Sequence, residues 1–204
     1  ICSACPALVS YILQKAPHLN DMIVPVVSPM VAHGRILKSK NKNIKVVFVG
    51  PCVAKKDEMQ MSDNEKYIDA VLTFEELDEL FRVKNIKIES CEESAFDEAA
   101  TGNSRFFPLE GGLLKTANIT TDLLDTKVIA ISGYKNIANA INYITEIKGK
   151  EAIVLEPLFC KNGCVNGPFV SKKTNSFLNR TKVLHYANNN EGVQLSKEKL
   201  FGEM

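Results

Sequence analysis

The chain has 204 residues, 45% hydrophobic and 24% charged, with 25 Lys and Arg against 24 Asp and Glu for a formal net charge of +1. These proportions exclude a disordered chain, a collagen and a coiled-coil rod, and fit one substantial domain or two small lobes. No apolar run approaches the ~20 residues that cross a bilayer, and the balanced charge gives no footprint for nucleic acid or an anionic membrane surface. The chain opens Ile1-Cys2-Ser3-Ala4-Cys5-Pro6 without an initiator Met or a targeting segment, which reads as part of a longer polypeptide. Leu8, Val9, Ile12 and Leu13 then recur at helical spacing over residues 6–15, with Pro6 suited to the first helical position. Residues 23–27 form a short apolar run ending at Ser28-Pro29, where a helix over 30–38 is expected to start. Residues 45–49 read as a buried strand stopped by Gly50-Pro51, and 68–72 as a second strand. Thr73-Phe74-Glu75-Glu76 is a capping box for a helix through Phe81. Ile86-Lys87-Ile88 alternates like a short strand, and the polar residues 92–105 read as a loop. A strand at 127–131, a helix at 136–147 and a strand at 152–155 follow, the last running toward Cys160. Residues 172–204 are a polar tail with a short helix expected near Lys197. Strands separated by helices predict an α/β fold with at least partly parallel sheets.

The six cysteines are Cys2, Cys5, Cys52, Cys91, Cys160 and Cys164. A chain of this size buries its own core and has little need of disulfide staples. Cys2/Cys5 as C-x2-C and Cys160/Cys164 as C-x3-C suit a tetrahedral zinc site, and four thiolates equally suit an iron–sulfur cube. Small buried hydrophobes are the plainer alternative. The neighbours favour a metal. Cys5 precedes Pro6 at a helix start, while Cys52 and Cys160 each follow a strand, so three cysteines lie where loops on a rigid scaffold converge. Cys160 and Cys164, four apart, are expected on one side of a helical turn. Gly163, Gly167 and Pro168 are expected to let backbone approach a bulky inorganic group. Lys55, three residues after Cys52, offers charge-assisted hydrogen bonds to an anion in the same site, which a zinc–thiolate centre rarely needs.

Three segments carry a resemblance. Cys-Ser-Ala-Cys-Pro at 2–6, Gly-Pro-Cys-Val-Ala-Lys-Lys-Asp-Glu at 50–58 and Glu-Pro-Leu-Phe-Cys-Lys-Asn-Gly-Cys-Val-Asn-Gly at 156–167 resemble the three signature motifs of iron-only ([FeFe]) hydrogenases. The blocks at 69–77 and 111–117 are also similar, so the resemblance runs from residue 1 to about residue 170 in the right order. It implies an α/β fold of two small lobes, each a mainly parallel sheet flanked by helices, with the cluster in the cleft between them. The implied cofactor is an H-cluster: a [4Fe-4S] cube bridged by one cysteine sulfur to a diiron unit carrying CO and cyanide. Carried over residue by residue, the cube's ligands are Cys5, Cys52, Cys160 and Cys164, with Cys164 bridging. Lys55 matches the lysine that hydrogen-bonds a cyanide, and Glu58 the later acid of the second motif. Residues 1–170 would then be the hydrogenase-like domain and 171–204 a polar extension. Chain preceding the first motif would complete the first lobe, a ferredoxin-like domain or protein would exchange electrons, and the setting would be an anaerobe's cytoplasm.

The departures from the catalytic pattern bear on activity. Ala4 stands where the active enzymes carry a second cysteine that relays protons, and a methyl group can do neither half of that work. Gly50 replaces a methionine packed on the diiron unit, Met30 and Val31 replace glutamines, and Lys161-Asn162 replaces a Pro-Gly pair. The expectation is a hydrogenase-like domain with slow or no turnover, resembling the sensory or regulatory branch. A [4Fe-4S] electron-transfer or iron–sulfur carrier protein is the alternative, and a zinc-stabilised partner-binding domain the third. Cys91 matches no ligand position. Among His18, His33 and His185, only His33 lies on the helix after Ser28-Pro29, where it is placed to approach the cleft; an ordinary histidine is the plainer reading. Phe107 and Pro108 match a block that lines the cluster pocket in the family, with packing an equal alternative.

Overall fold

A computed structural model describes residues 1–61, 63–92, 94, 96, 102–119, 127–147 and 152–189. Two separate two-stranded sheets organise them. In the first, β1 (Val47–Gly50) and β2 (Ala70–Thr73) run parallel, with Val47 opposite Ala70 and Gly50 opposite Thr73. In the second, β3 (Val128–Ser132) and β4 (Val154–Leu158) are parallel, with Val128 opposite Val154 and Ser132 opposite Leu158. Parallel neighbours need a crossover. Among the helices, α1 (Pro6–Lys15) and α2 (Pro29–Lys40) precede the sheets. The first crossover carries α3 (Ala54–Gln60), and α4 (Phe74–Val83) leaves β2. After α5 (Gly112–Thr116), the second crossover carries α6 (Tyr134–Ile147), and α7 (Ser176–Asn189) closes the described chain. Among the described residues no helix is long and apolar enough to cross a membrane.

Each sheet has its own core, as the separate apolar patterns require. Met30 and Val31 of α2 pack with Val46, Ile68 and Val71 in the first lobe. Leu8 and Ile12, one turn apart on α1, join Ile137, Ile141 and Ile144 of α6 and Leu155 and Leu158 of β4 in the second. Ile12 and Ile137 are fully buried there, each removing about 2 kcal/mol worth of apolar surface from water. A smaller third cluster joins Phe106, Leu109 and Val165 to Val183, Leu184 and Ala187 of α7.

Three features depart from the sequence expectations, and the first is that β1 is not a buried strand, since Val47 is 50% and Val49 36% exposed on this two-stranded sheet. Ile86-Lys87-Ile88 is not a strand: Asn85 turns at φ 53°, a 3-10 turn follows at Ile88–Ser90, and both isoleucines are exposed. The alternation has no sheet to face. Within the polar tail, residues 176–189 form α7, whose apolar side is used by the third cluster; the region near Lys197 lies outside the described residues.

Candidate metal centre

The first, second and third motifs enter one region from different elements. Cys5 caps the start of α1 in extended conformation (φ −99°, ψ 104°) and its carbonyl accepts the amides of Leu8 and Val9. Cys52 follows β1 and opens the turn into α3, its carbonyl accepting the Lys55 amide at 3.3 Å. Cys160 lies just beyond β4, and Cys164 begins a 3-10 turn, Cys164–Asn166. Cys160 and Cys164 do not share a helical turn, contrary to the spacing argument. The Gly163 amide bonds the Cys160 carbonyl at 3.0 Å, and left-handed Asn162 (φ 65°) and Gly163 (φ 88°) reverse the chain between the two thiols.

The glycines also serve a different purpose from the one expected. A Cβ on Gly163 would lie 2.6 Å from the Pro108 carbonyl oxygen, and one on Gly167 would lie 2.8 Å from that of Pro51. They admit chain against chain. The Cys164 amide donates to the same Pro108 carbonyl at 2.9 Å, and the Phe169 amide to Pro51 at 3.3 Å. The cysteine-bearing loops of the two lobes are thus bonded to each other, and Pro108 acts here through its backbone.

Electrostatics shows which thiols are neighbours. Burial pushes the Cys164 thiol up to about 12, and Cys5, Cys160 and Cys52 add to the rise. Burial likewise pushes Cys160 up to about 11, with Cys5 and Cys52 contributing. The Cys5 thiol is raised, first by burial; backbone amides of Phe159 and Leu8 directed at its sulfur oppose this, and Cys52 adds to it. Cys5, Cys160 and Cys164 therefore each lie near enough to Cys52 and to one another for a thiolate at one to disfavour a thiolate at the next. Lys55 lies close enough to favour the charged forms of both Cys5 and Cys164. Its ammonium is 2.7 Å from the Glu58 carboxylate and 3.4 Å from the Ala4 carbonyl, and Lys55 and Glu58 side chains are only 12% and 10% exposed.

Cys2 stands elsewhere. Its amide bonds Leu155 on β4 at 2.8 Å, and its thiol is raised by burial, with the amino group of residue 1 lowering it and Glu156 raising it. Cys91 is exposed, and His33 is exposed on α2. Among the described residues no three His, Cys, Asp or Glu side chains are grouped to hold a single metal ion.

Of the positions where the resemblance marks a change, Gly50, Met30 and Val31 are apolar and filled, while Lys161 and Asn162 are exposed. A Cβ on Gly50 would lie 2.7 Å from the Phe48 ring, and Met30 and Val31 are sealed in the first lobe's core. One polar residue was not singled out from sequence. Glu156 is 1% exposed, and its carboxylate accepts the amides of Leu113 at 3.1 Å and Leu114 at 3.0 Å. Burial holds its carboxyl above the usual range, while those amides pull it down. An acid inside the apolar run of β4, paired with Gly111-Gly112 at a helix start, was the available signal.

A sequence profile described as the iron-only hydrogenase large subunit, C-terminal domain, matches residues 1–168. The chain belongs to that family. Its relatives include the cytosolic Fe-S cluster assembly factor NAR1 of Encephalitozoon cuniculi, 29% identical over 82% of this chain and 51% of that protein. Iron hydrogenase 1 of Clostridium pasteurianum is 26% identical over 97% of this chain and 42% of its own length. The chain thus spans about half the length of these curated relatives or less. A variant of the [FeFe]-hydrogenase HydA1 from Chlamydomonas reinhardtii superposes with a TM-score of 0.68 at 15% identity, covering 97% of this chain and 68% of that one. That likeness gives the fold: helices with two small parallel sheets, as in the hydrogenase C-terminal domain. Membership places the chain among hydrogenase-like iron–sulfur proteins.

Proposed function

We propose that Cys5, Cys52, Cys160 and Cys164 hold one [4Fe-4S] cluster, and that the domain works in cytosolic iron–sulfur assembly or its electron supply rather than in hydrogen turnover. The donor set fits the group. A cube needs one thiolate on each of its irons, and its cationic core offsets the burial first, and then the neighbouring cysteines, that hold the Cys160 and Cys164 thiols far above their ordinary range. When bound, the cluster supplies one-electron redox chemistry. The residues do the rest: the Phe159 and Leu8 amides point at the Cys5 sulfur, and Lys55 tempers the negative charge of the thiolates. The observation that carries the reading is at residue 4, where a methyl replaces the relay thiol and the carbonyl is tied to Lys55. Loss of a positioned proton carrier costs about 10²–10⁴ in rate. The assembly factors among the relatives favour the same reading.

A second reading, a slow hydrogen-sensing domain with a diiron unit, is favoured by Lys55 and Glu58. They keep a buried cation beside Cys5 and Cys164, suited to an anionic ligand. The test is anaerobic reconstitution of the full-length protein with iron and sulfide, then with a synthetic diiron complex. Four irons per chain, no CO or cyanide infrared bands and no hydrogen turnover are expected. Bands with more than four irons would establish the second reading, and zinc with no iron would overturn both.

A further inference from the structure

The third motif repeats itself. Cys160-Lys161-Asn162-Gly163 runs directly into Cys164-Val165-Asn166-Gly167, two tandem Cys-x-Asn-Gly units, and Asn-Gly occurs nowhere else in the chain. Each unit closes in the same way. The Gly163 amide donates to the Cys160 carbonyl at 3.0 Å, and the Gly167 amide to the Cys164 carbonyl at 2.9 Å. Both glycines are buried, while both asparagines are exposed. Asn162 Nδ2 donates to Ser176 Oγ at 2.8 Å, and Asn166 Nδ2 to the Lys161 carbonyl at 3.1 Å.

Asn-Gly is the pair in which a side-chain amide is most open to attack by the next backbone nitrogen, because glycine has no Cβ to shield that nitrogen. Neither glycine is free to change here. A Cβ at 163 would lie 2.6 Å from the Pro108 carbonyl oxygen, and one at 167 would lie 2.8 Å from that of Pro51. Asn162 sits at φ 65°, a region that asparagine tolerates better than most residues with a side chain. The packing that builds the cysteine loop therefore builds a labile pair into it twice. Two hydrogen bonds restrain the reaction. Each attacking nitrogen is held by the carbonyl of a cysteine, so each turn must open before that nitrogen can reach the side-chain amide.

We propose that Asn162 and Asn166 are sites of spontaneous deamidation, restrained while a cluster is bound and released in the apoprotein, so that chains long without a cluster are retired irreversibly. The inference rests on the cluster reading above and goes beyond it. In the reaction the glycine nitrogen bonds to the asparagine Cγ, the Cγ–Nδ2 bond breaks, and ammonia leaves with the glycine proton. Water then opens the succinimide at either carbonyl, giving aspartate or isoaspartate, and no electron is transferred. Isoaspartate adds a methylene to the main chain, which the tight turn from cysteine to glycine cannot absorb. Either product also adds a carboxylate to a loop that must hold two thiolates. A group bound through both sulfurs keeps the turns shut, because binding favours the closed form by mass action.

The test ages the full-length protein anaerobically with a thiol reductant, once as apoprotein and once loaded with iron and sulfide. Isoaspartate is located by peptide mass spectrometry and counted by methyl transfer from an isoaspartyl methyltransferase, and iron uptake is measured before and after ageing. Both asparagines should convert about tenfold or more faster in the apoprotein than in the loaded protein, and iron uptake should fall in step with conversion. The double variant N162G/N166Q should keep its fresh iron uptake through the same ageing. Equal conversion in the two forms, modified chains that still take up their full iron, or a variant that loses uptake as fast as wild type would each overturn the proposal while leaving the cluster reading intact. Fresh wild-type protein that takes up no iron would overturn the cluster reading and the proposal together.

Discussion

Gly163 is the residue on which the geometry of the third motif turns, because it meets two constraints at once. Its φ of 88° suits glycine, and a Cβ would press on the Pro108 carbonyl at 2.6 Å. Gly111 shares the first constraint (φ 81°) but not the second, since the nearest atom to its Cβ would be 3.8 Å away. Gly111→Ala should therefore cost about 1 kcal/mol, as conformational strain alone. Gly163→Ala should cost about 3 kcal/mol and also lower iron uptake, because the loop must leave the Pro108 carbonyl that anchors Cys164. Urea unfolding and iron counts on the two variants check this, and equal costs would show that the close approach is relieved by shifts nearby. Glu156 is the polar counterpart. Glu156→Ala strips acceptors from the half-buried amide of Leu113 and the buried amide of Leu114, for about 3 kcal/mol in the same urea assay.

At the scale of elements, α4 is held by its first turn, since none of its residues is buried. Thr73 Oγ1 accepts the Glu76 amide at 3.2 Å, and the Glu76 carboxylate accepts the Thr73 amide at 2.8 Å. Thr73→Ala should cost about 1 kcal/mol by thermal denaturation. The box also carries a pH dependence. The Lys56 ammonium first, and then the Thr73 amide, hold Glu76 at about 2, below its ordinary 4.5. A depressed carboxyl stabilises the fold above its unfolded value, and that contribution disappears as pH falls from 4.5 toward about 2. Glu76→Gln should flatten the loss of melting temperature across this window, and an unchanged profile would assign the acid sensitivity to other groups. This box was legible in sequence because its donors and acceptors are four consecutive residues. α1 was legible too, from Leu8 and Ile12, and so were all four strands to within three residues. The misreadings have one cause. Whether Ile86 and Ile88 alternate against a sheet, or whether Val183 and Leu184 find a core, depends on partners far along the chain. Local periodicity does not contain that information.

For the molecule as a whole, the convergence of four thiols is a property of topology. The resemblance of the three motifs nominated Cys5, Cys52, Cys160 and Cys164, whereas spacing alone paired Cys2 with Cys5. The reversal between Cys160 and Cys164 followed from neither, because it depends on left-handed turns packed against Pro108. Three of the thiols belong with the second sheet and one, Cys52, with the first. The described polar ties between the lobes are few and backbone-based, such as Phe169 to Pro51, with Lys55 to Ala4 beside them. A group bound by all four sulfurs would cross-link the lobes, and binding that favours only the folded arrangement stabilises it by mass action. Loading iron and sulfide into the full-length protein should therefore raise the melting temperature and protect the amides of residues 50–60 and 158–170 together against hydrogen exchange. Cys52→Ser should abolish both effects, while Cys2→Ser and Cys91→Ser should keep them, since those thiols stand apart from the four. If Cys52→Ser retained the full rise in melting temperature, the bound metal would belong to the second lobe alone, and the fourth ligand would have to be sought outside the first.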